Sequence, residues 1–477
     1  MNEETTQGPC RVCGALLQFA LQSIGATIPC PVCQQPTELA PATTVAPEED
    51  FVSPGLTTEE VISAFKGTIT KPRTSIIYQL GLLVVTIATL LLPVLYLGLV
   101  VLAAWGTYYW ATEFRYLLTA FRGGGFYGLM FRFFMFGGPL FVGVVLTLFM
   151  IKLLFASAPK HSQPLALNPE NEPVLFAFIR QICRTLQAPM PTRVDVDCDL
   201  NASASFRSGT FSFLRGDLVL PLGLPLVAGF NANQLAEVIA HEFGHFNQGL
   251  GMRLSYVIRR INAWFYRVIY ERDSWDVTLD ELAETEEFWV TVVVGFARLG
   301  VWFSRLILKL LMWIGHLIGC FLIRQMEYDA DASSIRLAGS QTFEESTRRL
   351  HVLSKVLEQS YTQLKHGFAK SKMLPDNFPA FMAMHDEKLS HEERSTLENT
   401  MGLEPTSAWS THPSHGDRIR RARQVGESGV FSLDVPATAL FSKFGILAQQ
   451  VTRLHYTDDL GIPEPSIHTR PVFSENP

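Results

Sequence analysis

Three regimes of hydrophobic and polar positions follow one another along the chain. From Thr74 to Thr112 there is no Asp, Glu, Lys or Arg, and residues 76–105 are almost continuously apolar. That run exceeds the ~20 residues a helix needs to cross a bilayer. Pro93 lies inside it and predicts a kink or a break. A second run, 133–151, holds 19 residues between Arg132 and Lys152. Trp105, Tyr108, Tyr109 and Trp110 precede the polar turn between the runs, as expected for an aromatic belt at a membrane surface. Together the runs predict a transmembrane hairpin over 76–155.

After Ala156 the pattern becomes that of a globular domain. PENEPVLFAFIRQICRTLQ has helical spacing, RVDVDCDL and GDLVLPL read as short strands, and NANQLAEVIAHEFGHFNQG reads as a helix opening near Asn233. The third regime, 252–323, is apolar but striped with cations. Arg298, Arg305, Lys309 and His316 lie within about 40° of one another on a helical wheel, and Arg253, Arg260 and Arg267 repeat at heptad spacing. Its longest stretch without formal charge, 310–323, has 14 residues, short for a simple lipid-facing span. Two arrangements are open. The helices either cross the membrane with their stripes toward a wet interior, or lie in the interface with cations near headgroups.

Composition changes this picture little. With 477 residues the length suggests roughly three domains. The net charge of −6 argues against nucleic acid as a partner, because phosphate binding needs a basic surface. The opening residues lack a positive region followed by an apolar core, so no secretory signal is expected there. Cysteine use is more informative. Cys10, Cys13, Cys30 and Cys33 form C-x2-C-x16-C-x2-C, the spacing of a zinc ribbon, whose thiolates would hold one structural zinc. Cys183, Cys198 and Cys320 read as buried thiols. Lys66, Lys71 and Arg73 before the hairpin, with Lys152 and Lys160 after it, place both flanks in the cytosol.

The chemistry concentrates in HEFGH, residues 241–245. On a helix His241 and His245 project from one face and can reach one Zn2+. Glu242, beside the first ligand, can take the proton of a water that the metal activates. A third protein ligand is needed, and no H-x2-G-x2-H continuation supplies it. Glu327 and Asp331, in RQMEYDADASS, share a helix face four residues apart. Glu327 fits the third ligand and Asp331 an acceptor that orients a ligand histidine.

These residues resemble the membrane zinc peptidases typified by HtpX and by the CAAX prenyl endopeptidase, which are gluzincins. The resemblance covers roughly residues 75–425: the apolar hairpin, HEFGH, the E-x3-D helix after a long apolar insertion, and STHPSHGDRI with Thr411, His412, Pro413, Arg418 and Ile419. It implies that Glu327 is the third zinc ligand, that His412 stabilises the transition state, and that Arg418 organises the site. LNASAS, with Asn201 and Ala202, resembles the family's substrate-holding edge strand. The implied fold is a mainly α membrane protein, with a zincin-type metallopeptidase domain that is α-rich with a small edge sheet. The N-terminal zinc ribbon departs from the family pattern.

The expected organisation is a ribbon at 1–40, a linker at 41–75, the hairpin at 76–155, a peptidase at 156–425 with the insertion 252–323, and a partly disordered extension at 426–477. A short helix near 57–67 is expected within the linker. The expected activity is hydrolysis of peptide bonds in membrane or misfolded polypeptides at a bacterial inner membrane. One catalytic and one structural zinc are implied. The bilayer and polypeptide substrates are the partners, and the ribbon can add a protein partner. Two alternatives stand beside this reading: a membrane adaptor whose ribbon and helices recruit partners, and a prenyl-protein-type processing peptidase.

Overall fold

The computed structural model describes residues 5–9, 16–20, 23, 26–29, 36–38, 55–69, 76–119, 124–154, 164–206, 217–246, 250–270, 280–281, 284, 288–401, 406, 410 and 412–472. At the N-terminus β1 (Thr5–Pro9) pairs antiparallel with β2 (Leu16–Ala20), and β3 (Thr27–Pro29) with β4 (Pro36–Glu38). The four cysteines proposed to hold a structural zinc lie outside the described residues.

The first helix, α1 (Thr58–Ser63), opens on a capping box. The Thr57 hydroxyl accepts from the Glu60 N–H, and the Glu60 carboxylate accepts from the Thr57 N–H. Then come α2 (Ile76–Glu113), α3 (Gly125–Arg132) and α4 (Gly138–Leu154). Helix α2 is a single helix that continues through Pro93, so of the two alternatives, a kink or a break, the break does not occur. At 38 residues it is about 57 Å long. Tyr96 donates from inside it to the Met150 carbonyl (3.0 Å), and the Trp110 indole to the Phe136 carbonyl (3.2 Å), which clips the hairpin together. Leu83, Leu91, Leu95, Phe141 and Leu148 stay exposed along it, as suits a surface solvated by lipid.

The segment read as a linker is in part a wall of the domain that follows the hairpin. Val61, Ala64 and Ile69 are buried in one core with Phe178, Ile179 and Ile182 of α5 (Pro173–Leu186). Phe65 packs on Phe431 with ring centroids 4.5 Å apart. The chain therefore enters and leaves the α2/α4 hairpin on the same side.

Beyond α5, a four-stranded sheet has the order β5-β6-β8-β7, from β5 (Leu165–Ala166), β6 (Arg193–Asp197), β7 (Ser205–Phe206) and β8 (Leu218–Gly223). Strands β6 and β8 run parallel, and β7 is an antiparallel edge. Helices α6 (Leu224–Gly229) and α7 (Ala232–Phe246) follow. Asn231 starts α7 by accepting from the Gln234 N–H, and the Gln234 side chain accepts from the Asn231 N–H. The insertion then forms α8 (Leu250–Tyr270) and α9 (Phe288–Ala338). Helix α9 has 51 residues, about 77 Å, and carries the expected E-x3-D segment within it.

Phe265, Val268 and Ile269 of α8 and Leu308 and Leu311 of α9 are buried with Leu92, Tyr96, Val100 and Met150. The insertion thus stands alongside the hairpin in one helical bundle. Three segments are long and apolar enough to cross a membrane: Tyr78–Leu118, Gly125–Lys152 and Ala297–Phe321. Among the striped cations, Arg298 pairs with Asp280 (2.6 Å), and Lys309 lies over the Tyr270 ring.

The remaining elements are α10 (Ser340–Ser371), β9 (Met373–Pro375), α11 (Phe378–Glu387), α12 (His391–Thr400), α13 (His415–Val425), α14 (Phe444–Leu454) and β10 (His468–Arg470). The extension expected to be partly disordered is built into the fold over its described length. Phe431, Leu440, Val451 and Tyr456 join the main core, Tyr456 donates to the Pro375 carbonyl (2.9 Å), and β10 pairs parallel with β9. The Pro-rich composition concealed this, because the apolar anchors are widely spaced and the pairing partner lies almost 100 residues upstream.

One carboxylate at the junction of sheet and extension is held out of its ordinary range. Burial pushes the Asp197 carboxyl up to about 6, with Asp199, Asp459 and Asp195 adding to the shift. An ordinary aspartate titrates near 3.9 in the unfolded chain. The folded state therefore binds a proton that the unfolded state has lost, and stability falls as pH rises from about 4 to 6. In Asp197→Asn the side-chain oxygen can still accept from the Asp199 N–H (3.0 Å) without the charge. Its melting temperature should exceed the parent's at pH 7.5, and the gap should close below about pH 4. A gap independent of pH would contradict the burial argument.

Candidate active site

Two helices build the site. Helix α7 presents His241, Glu242 and His245, and α9 presents Glu327 and Asp331. They meet where α7 carries Gly244. A Cβ there would lie 2.9 Å from the Ala330 Cα and 3.1 Å from its carbonyl oxygen. Only a residue without a side chain permits this approach, and it brings the two histidines to Glu327.

His241 Nε2 lies 3.4 Å from Glu327 Oε2, and His245 Nε2 lies 3.8 Å from Glu327 Oε1. One donor atom from each residue falls within 4.8 Å of the others, the one such group among the described residues. Donors about 2.0–2.1 Å from a tetrahedral zinc are separated by about 3.3 Å, so two imidazoles and a carboxylate at these separations fit zinc. Asp331 Oδ1 lies 3.0 Å from His241 Nδ1, which leaves Nε2 facing the other donors. Arg418 grips the same carboxylate with two bonds, Nε to Oδ2 at 2.9 Å and Nη2 to Oδ1 at 2.5 Å, while its guanidinium stacks on Phe343.

Burial opposes charge on His241, Glu327, Asp331 and Arg418, and their mutual contacts override it. Burial raises the Asp331 carboxyl, but Arg418 outweighs it and holds the group below the usual range. Glu327 is likewise raised by burial and brought well below its ordinary value by hydrogen bonds from His241 and His412. For His241 burial works downward, and the bonds to Asp331 and Glu327 lift it to about 10.

Glu242 stands outside the ligand group. Its Oε2 accepts the Ala204 N–H at 3.1 Å. That contact ties it to the sheet edge. The Asn201 carbonyl and the Ser203 N–H pair inward with Gly223 (2.7 Å) and Pro221 (3.2 Å), and Ala202 sits opposite Leu222. By antiparallel alternation the polar backbone groups of Ala202 point the other way, outward. The edge named in the sequence therefore runs past Glu242, and Asn201 and Ala202 line a cavity of about 180 Å³ with His241, Glu242 and Arg418.

His412 arrives from the loop before α13, its Nδ1 3.5 Å from Glu327 Oε1 and its side chain mostly exposed. The described residues among the candidates thus converge on one place. Sequence reasoning missed two neighbours. Glu237 is buried beside His241 and Arg418, its carboxyl pushed up to about 7 by burial. His415 lines the same cavity, and burial and Arg418 lower it. The helical spacing that selected His241 and His245 reaches Glu237 when extended one turn backward.

Comparison with known proteins agrees with this geometry. Residues 169–425, more than half of the chain, match the model of peptidase family M48. The chain belongs to that family. It is similar to the Protease HtpX of Acinetobacter baylyi, with 24% identity over 234 residues, covering 47% of this chain and 71% of that protein. The Protease HtpX of Acinetobacter baumannii gives the same figures. No solved structure matches. The chain is a peptidase by family and an integral membrane protein, and its N-terminal strands and C-terminal segment fall outside the matched residues.

Proposed function

We propose that the chain is a zinc-dependent endopeptidase that cuts membrane or misfolded polypeptides. One observation carries the reading: the complete set His241, His245 and Glu327, with Glu242 placed between that set and an open sheet edge. Zinc, when bound, supplies a Lewis acid that makes water acidic enough to attack at neutral pH. The chain's own residues do the rest. The edge at Ala202 holds an extended peptide by its backbone, so recognition tolerates many sequences. Glu242 takes the proton of the attacking water and passes it to the leaving amine. His412 donates to the carbonyl oxygen as charge develops there. Arg418 fixes Asp331, and Asp331 fixes the His241 ring.

In this reading the ribbon cysteines hold a second, structural zinc and offer a surface to a protein partner. The basic residues flanking the hairpin set ribbon and peptidase in the cytosol of a bacterial cell, with the hairpin in the inner membrane. The intact ligand set favours catalysis over an adaptor role. Metal analysis of the purified chain tests this. Two zinc ions per chain are expected, with one remaining in Glu327→Ala, and cleavage of an unfolded protein should fall in that variant at least about a thousandfold. Full zinc content with full cleavage in Glu327→Ala would defeat the assignment.

A further inference from the structure

The ligand group has a second flank, away from the sheet edge. There Glu327 and His412 form part of the lining of a larger cavity of about 570 Å³. The rest of its wall comes from the insertion, notably Asn262, Ala263 and Tyr266 of α8 and Trp313 and His316 of α9. We propose that this groove binds the stretch of substrate on one side of the scissile bond and selects large apolar side chains there. The proposal rests on the peptidase reading above and names the substrate class of that site.

Continuity identifies the occupant. Glu327 belongs both to the ligand group and to the groove, so a chain held across the former must run one flank into the latter. The volume lies within the range that takes a drug-sized ligand, and so admits more than one side chain. Its lining chooses the chemistry. Tyr266 and Trp313 are 58% and 55% exposed, and Met312 and Ile323 add apolar surface. Rigid aromatic rings that the protein leaves uncovered are the residue types that anchor binding. Among the described residues no Lys, Arg or Asp lines the groove and the one carboxylate is Glu327, so a charged side chain would be desolvated without a partner. Asn262 offers polar atoms for the substrate backbone.

The groove also has a direction. Met312, Trp313 and His316 fall within Ala297–Phe321, apolar enough to cross a membrane, whereas Glu327 lies beyond its end. Along α9, Trp313 is about 21 Å from Glu327, at 1.5 Å per residue. An extended peptide covers that distance in about six residues. The selected side chains therefore lie within about six residues of the cut, on one side only, and that flank comes from the level of the bilayer.

The test uses the full zinc-loaded chain in detergent, a proteome-derived peptide library and mass spectrometry of the products. Large apolar residues should be enriched within six positions on one side of the cut. Ala263 is exposed in the groove, so Ala263→Trp fills it without entering the core. For a matched pair of peptides with Phe or Ala at the enriched position, the ratio of kcat/KM should fall at least tenfold in Ala263→Trp. Trp313→Ala, which deletes one wall, should lower the same ratio. A peptide with benzoylphenylalanine at that position should cross-link to residues 262–266 or 312–316. Enrichment on both sides or neither, an unchanged ratio in both variants, or cross-links confined to other residues would overturn the proposal. Failure of the parent chain to cut any library peptide would overturn the peptidase reading with it, whereas cutting without one-sided preference sinks the groove alone.

Discussion

Glu242→Gln should hold zinc as the parent does and lose cleavage by about 10²–10⁴-fold, the contribution of a positioned general base. The reason is the division of labour around one turn of α7. The ligand group comprises His241, His245 and Glu327, and Glu242 contributes nothing to it. Its Oε2 accepts a bond from the Ala204 N–H, and a glutamine carbonyl can accept that bond too. Shape, edge contact and ligand set therefore survive, and only the capacity to take a proton is lost. Zinc content by mass spectrometry, melting temperature and kcat on one substrate separate the possibilities. Equal zinc, equal melting temperature and a collapsed kcat are expected. Cleavage within tenfold of the parent would move the proton to another group. Substrates should also remain bound to this variant, which makes it a means of capturing them.

The contrast with Glu327 shows what was legible in the chain. HEFGH declares its own geometry, because four residues are one helical turn. Glu327 and Asp331 were legible by the same rule once two ligands demanded a third. The hairpin was legible because 39 consecutive residues without a formal charge leave few soluble alternatives. Packing between distant segments was not. Nothing local in residues 55–69 shows that Val61 and Ile69 complete the core beyond the hairpin, and nothing in the Pro-rich tail shows that β10 pairs with β9. Glu237 stayed hidden because a glutamate on a helix is ordinarily solvated, and its burial beside Arg418 depends on segments far apart in the chain.

The glycine of HEFGH should be as indispensable as its histidines, for a different reason. In Gly244→Val the catalytic zinc should be lost and the melting temperature lowered. The added Cβ would meet the Ala330 backbone at 2.9 and 3.1 Å and the Ser333 Cβ at 3.0 Å. Backbone cannot rotate aside as a side chain does, so α7 and α9 must separate. Overpacking of this kind costs about 1–3 kcal/mol, but the larger consequence is geometric. His245 adjoins Gly244, and Glu327 lies one turn before Ala330, so the separation opens the ligand group at its hinge. Zinc sites tolerate errors of only about 0.2 Å in ligand distance. Gly367 supplies the control: it is also helical, but a Cβ there meets nothing within 4 Å. Gly367→Ala should keep the metal and gain up to about 1 kcal/mol from helix propensity. Metal content and melting temperature of the two variants read this directly. Retention of the catalytic zinc by Gly244→Val would mean that the close crossing of α7 and α9 does not set the ligand geometry.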